Sequence, residues 1–84
     1  MATVTMTPEA AGQYDELPRT IKVRVAGIFD RLKDWPNVSG AKALTGNLAG
    51  CYRMRTGDYR VQFRVSDGNV IVERVGHRDG FYED

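Results

Sequence analysis

Arginine recurs at alternate positions in two short stretches of this 84-residue chain: Arg53 and Arg55, then Arg60 and Arg64 with Gln62 between them. Successive side chains on a strand point to opposite faces, so an extended conformation gathers each set on one face. Tyr52 and Met54, then Tyr59, Val61, Phe63 and Val65, take the other face. A sheet with an apolar back and an arginine-lined front suits phosphate, because guanidinium stays charged and donates in a rigid fork. Arg74 and Arg78 follow, with His77 beside them and Tyr82 close behind. Taken alone, alternating arginines are ordinarily a solvated sheet face, and Arg78 with Tyr82 an ordinary charged tail with a packed aromatic. Arg74 extends the patch or pairs with a nearby acid. His77, the only histidine, fits a structural hydrogen bond as well as acid–base work. Asp58, in a turn, is placed to hold Arg60 or Arg55.

The charge is local. The formal net charge is +1, which argues against a general coating for nucleic acid. From Cys51 to Arg78, however, six arginines face only Asp58, Asp67 and Glu73, and every basic residue after Lys42 is arginine. That favours fixed-geometry anion recognition over diffuse attraction. The lone Cys51 excludes an internal disulfide and reads as a small buried apolar residue. Met1 to Met6 lacks the pattern of a signal peptide, and no stretch approaches membrane-spanning length. A single cytoplasmic domain over residues 1–84, with no membrane association, is the expectation.

Several elements must position these residues. Ala2 to Met6 is rich in β-branched residues and reads as a strand. Thr7-Pro8-Glu9 opens a helix: Thr7 caps it, Pro8 suits its first turn and Glu9 opposes its positive end. Pro18 interrupts and opens a second helix, whose stripe is Ile21, Val25, Ile28, Phe29 and Leu32. That helix ends near Trp35-Pro36, and residues 37–48, with Gly40, Gly46 and Asn47, read as loop. Three strands follow near 50–56, 59–66 and 69–76, joined by turns short enough for hairpins. Trp35 and Tyr52 read as core. The expected fold is α+β in the order β-α-α-β-β-β. Its helical hairpin packs on one face of a mainly antiparallel four-stranded sheet, with the first strand at an edge.

Three segments carry a resemblance: Leu48-Ala49-Gly50-Cys51-Tyr52-Arg53-Met54-Arg55, Gly57-Asp58-Tyr59-Arg60-Val61, and Val75-Gly76-His77-Arg78 with Tyr82 behind. Together with Thr7-Pro8-Glu9-Ala10 and Leu17-Pro18-Arg19, they resemble the RelE branch of the RelE/ParE toxin superfamily over nearly the whole chain. The resemblance implies the toxin of a type II toxin–antitoxin pair, acting in the ribosomal A site. Such toxins cut mRNA without a metal or other cofactor, the ribose 2′-OH attacking the adjacent phosphate. It also implies a RelB-like antitoxin encoded nearby, and ribosome and mRNA as further partners. By position, Arg53, Arg55, Arg60, Arg78 and Tyr82 are its catalytic residues. Arg53, Arg55, Arg60, Arg64, Arg74 and His77 are its RNA contacts.

Many relatives have lysine where this chain has Arg53 and Arg55. Arginine does not give up its proton, so these two read as electrostatic clamps, leaving Tyr82 and His77 as candidates for proton transfer. Glu83 and Asp84 put negative charge beside the phosphate site. Two alternatives stay open: a ParE-type inhibitor of DNA gyrase, and a non-catalytic RelE homologue that only binds its antitoxin.

Overall fold

Thr7 starts the first helix as its side chain allows: Oγ1 accepts from the Ala10 amide at 3.1 Å, and Pro8 occupies the first turn. In the computed structural model, which describes residues 2–81, the elements are β1 (Thr3–Met6), α1 (Pro8–Asp15), α2 (Arg19–Leu32), β2 (Lys42–Ala43), β3 (Cys51–Thr56), β4 (Tyr59–Ser66) and β5 (Asn69–His77), with short 3-10 turns at Gly46–Leu48 and Arg78–Gly80. Tyr82 lies outside the described residues.

The sheet runs β1-β5-β4-β3-β2. β1 joins the edge beside β5 in parallel, and the other pairs are antiparallel. The sheet therefore has five strands where the sequence led to four. Lys42 pairs with Arg53 and Ala43 with Tyr52, and the Leu44 amide donates to the Cys51 carbonyl at 2.9 Å. Two residues between glycine-rich stretches show no alternation, so this strand reads as loop. It forms because β3 otherwise presents an open edge of unpaired backbone groups.

The hairpins follow their turn chemistry. Thr56 pairs with Tyr59 across Gly57-Asp58, where Gly57 has φ +57°. Ser66 pairs with Asn69 across Asp67-Gly68, both at positive φ, as a two-residue turn matching the twist of its strands requires. A bulge interrupts β5: Gln62 pairs with Arg74 and Phe63 with Val72, leaving Glu73 as an extra residue. Val72 and Val75 thus both face the core although three apart. β1 ends its pairing at Met6 opposite Val72, and beyond it the Val75 amide donates to Gln13 Oε1 of α1 at 2.8 Å.

The helices cover one sheet face. Val25, Ile28 and Leu32 of α2 and Ala10 of α1 are buried with Met54, Val61, Phe63, Val70, Val72 and Val75. Each large side chain so buried contributes ~1.5–3 kcal/mol. Trp35 packs edge-on against Tyr52 (4.8 Å between ring centroids) and Phe63 (5.3 Å), placing it and Tyr52 in the core as read. Among the described residues, no helix is long and apolar enough to cross a membrane.

Candidate functional site

The other sheet face carries the arginines. Arg53 pairs with Gln62, Arg55 with Arg60, Cys51 with Arg64, Gln62 with Arg74, and Arg60 with Gly76. Pairing and strand alternation put all of these opposite the helix-covered face. The structure thus brings together Arg53, Arg55, Arg60, Arg64 and Arg74. Directly opposed like charges such as Arg55 and Arg60 oppose folding, so this placement is not explained by stability.

The arginines differ in how they are held. Arg60 is only 6% exposed, and its Nη1 donates to the carbonyls of Gly57 (3.1 Å) and Tyr59 (3.3 Å). It is fixed to the turn between β3 and β4, a constraint the alternation did not reveal. Arg64 Nε donates to Glu73 Oε2 at 3.0 Å, so the bulged residue anchors it. The Arg74 guanidinium lies 4.2 Å from the Phe81 ring centroid and donates to the Gly80 carbonyl. Phe81 in turn sits over Gly76, where an added Cβ would meet its Cε1 at 3.4 Å. Arg53 is half-buried. Arg55 is exposed and makes no hydrogen bond or ion pair among the described residues.

Arg78 follows the end of β5. Its amide donates to the Asp58 carbonyl at 2.7 Å and its Nε lies 3.8 Å from Asp58 Oδ1. Asp58 therefore faces Arg78, not Arg60 or Arg55 as its place in the sequence suggested. His77 pairs with Tyr59 and packs edge-on against that ring at 5.3 Å. Its alternation is that of Val61 and Val75, the helix side, and its Nδ1 accepts from the Asp79 amide at 3.2 Å. The imidazole thus shapes the turn carrying Arg78.

Cys51 also departs from its expected place. It is half-buried on the arginine face and its Sγ donates to Glu73 Oε1 at 3.5 Å. Burial first, and then Glu73, push the thiol's pKa up. Two residues outside the expected set reach the β3–β4 turn or the arginine face. Arg24, exposed on α2, brings Nη1 to 3.8 Å from where a Cβ on Gly57 would lie, adding a cation at the β3–β4 turn. Gln62 is 5% exposed, and its Oε1 has no hydrogen-bond partner among the described residues. The alternation had already put Gln62 on this face. Nothing local in the sequence connects Arg24 to the turn.

This face offers guanidinium donors held at several angles around a sheet, an arrangement suited to a phosphodiester and to charge developing on it. Fold and site together define a small α+β domain with an arginine-lined sheet face. Residues 4–80 match the model of a family described as the ParE toxin of the type II toxin–antitoxin system parDE. The chain is 36% identical to the toxin RelE of Mycobacterium tuberculosis over 73 residues, spanning 86% of this chain and 74% of that protein. It is 35% identical to the toxin RelG of the same organism over 83 residues, spanning 95% and 94%. Among solved structures it resembles the toxin–antitoxin complex RelBE2 from M. tuberculosis, with a TM-score of 0.79 and 30% identity, covering 92% of this chain and 98% of that one. The chain belongs to the RelE/ParE superfamily, the toxins of type II toxin–antitoxin systems.

Proposed function

We propose that this toxin is of the RelE type, an endoribonuclease that cuts mRNA in the ribosomal A site and so stops translation in the cytoplasm. The observation that carries the proposal is the arginine set on the sheet face opposite the helices, with Arg60 fixed to the turn carbonyls and Arg55, paired across from it, exposed and unpartnered among the described residues. Catalysis of 2′-OH attack needs cations placed where the phosphorane-like charge develops, and fixed donors cost no reorganisation at that moment. Arg53, Arg55 and Arg60 are assigned to the phosphate. Arg64 and Arg74 extend the RNA contact, and Arg78 stands toward the leaving oxygen. Tyr82 is assigned the proton transfer, and His77 the orientation of the segment that leads to it.

The ribosome would supply the codon geometry, since a few guanidinium groups cannot by themselves orient an arbitrary strand. A RelB-like antitoxin is the proposed partner, supported by the solved toxin–antitoxin complexes this chain resembles. The description of the matching family favours a second reading, a ParE-type inhibitor of DNA gyrase. One experiment separates them: purified protein is incubated with programmed ribosomes, with naked mRNA and with gyrase. RelE-type activity gives A-site cuts ending in 2′,3′-cyclic phosphate on ribosomes and little cutting of naked RNA. Inhibition of gyrase with intact mRNA contradicts it.

A further inference from the structure

Gln62 lies in the middle of the arginine face. Across the sheet its neighbours are Arg53 on β3 and Arg74 on β5, and along β4 they are Arg60 and Arg64. Its Oε1 is buried and unpartnered among the described residues. Buried amide oxygens nearly always find a donor, and leaving one unpaired costs stability. Methionine would fill the same volume without that cost, so packing alone does not explain an amide here.

We propose that Gln62 positions the substrate, its Oε1 accepting a hydrogen bond from the ribose 2′-OH of the nucleotide whose phosphate the surrounding arginines hold. The inference rests on the RNA reading above. Phosphate oxygens present acceptors, and the guanidinium groups satisfy these. An amide oxygen adds nothing there; it needs a donor. The 2′-OH is the donor nearest the phosphate on its 3′ side, whereas base edges lie further out. An amide oxygen is too weak a base to take the proton, and the hydroxyl has only one. Gln62 therefore holds the hydroxyl in the bound ground state and gives up the hydrogen bond when another group removes that proton for attack. Because so little of Gln62 is exposed in the free protein, the hydroxyl reaches it once Arg64 turns onto the phosphate while Arg60 stays on its carbonyls. Arg64 is an exposed side chain held, among the described residues, only by a surface ion pair with Glu73.

Gln62→Met keeps the length of the side chain and removes the amide. Wild type and Gln62→Met are titrated onto ribosomes whose A-site codon carries, at each position in turn, a 2′-amino nucleotide or a 2′-fluoro nucleotide. The amino group keeps a donor but attacks phosphate poorly; fluorine has no donor. At one codon position wild type should bind the 2′-amino complex about three- to tenfold more tightly than the 2′-fluoro complex, the worth of one neutral hydrogen bond. Gln62→Met should bind both alike while unfolding at the same or a higher denaturant concentration, since it relieves an unpaired amide. Discrimination retained in Gln62→Met, or absent from a wild type that binds the ribosomes well, overturns the inference and leaves the RNA reading standing. A lowered unfolding midpoint in Gln62→Met also overturns it, marking Gln62 as structural. Failure of folded wild type to bind any programmed ribosome overturns the RNA reading, and the inference with it.

Discussion

Val61 and Phe63 face the helices from β4 and are fully buried; Arg60 and Gln62, on the same strand and facing the other way, are nearly as buried at 6% and 5%. Behind the sheet, burial follows from apolar contact and needs no further account. In front, polar groups are held by specific partners: buried Arg60 by two carbonyls, exposed Arg64 by Glu73, and half-buried Arg74 by Gly80 and Phe81. A solvated charged face would leave these side chains mobile, and mobile charges cost entropy to hold at a reacting centre. The difference teaches that one strand can build the core on one side and hold polar side chains in fixed places on the other.

Truncation at the back should give the largest effect. Phe63→Ala removes a ring that packs on Trp35 and Tyr52, and is expected to cost ~3–5 kcal/mol, most of the stability of a domain this small. Chemical denaturation would show the midpoint collapsing. A loss under about 1 kcal/mol would mean that the aromatic cluster is not the centre of the core.

Next come the two opposed arginines. Arg60→Ala leaves the carbonyls of Gly57 and Tyr59 without their donor and should cost ~1–3 kcal/mol as well as toxicity. The alternation alone, which treats Arg60 as a surface side chain, would have it abolish activity with folding intact. Arg55→Ala, at an exposed and unpartnered side chain, should change stability by less than about 0.5 kcal/mol. Equal stability of the two variants would erase the distinction between a fixed and a free arginine.

The smallest effect concerns Cys51. Its thiol pKa is raised by burial and by Glu73, so the folded protein holds that proton more tightly than the unfolded chain. The resulting stabilisation is present below the unfolded thiol's pKa and is lost as pH rises through the higher folded value. At pH 8, alkylation of the folded protein should be slower than that of the denatured chain. Glu73→Gln should narrow the gap without closing it, since burial remains the larger cause.

What the sequence made legible follows the same division. The strands and helices were readable because Tyr52, Met54, Val61 and Phe63 alternate cleanly, Val25, Ile28 and Leu32 fall on one helical stripe, and glycines mark the turns. Arg53, Arg55, Arg60 and Arg64 were readable for the same reason, whereas the sequence leaves Arg74 either to extend the patch or to pair with an acid. Plain alternation from Val70 and Val72 would turn Arg74 to the core, and only the bulge brings it to the arginine face. Lys42–Ala43 was not readable, because two residues have no period. The bulge at Glu73 hid behind a run of apolar residues, Val70 to Val72, that any register would accept. The sharing of Glu73 by Arg64 and Cys51, the tethering of Arg60 and the reach of Arg24 to the turn depend on contacts between elements, which alternation does not encode.

The most direct test expresses wild type and Arg55→Ala without antitoxin, at matched levels of folded protein, and maps new 5′-OH ends on mRNA across translating ribosomes. Cleavage at the arginine face predicts cuts within A-site codons for wild type and at least about a hundredfold fewer for Arg55→Ala, as expected for loss of one transition-state donor. Equal cutting by Arg55→Ala, or growth arrest by wild type with mRNA intact and replication halted, would contradict it.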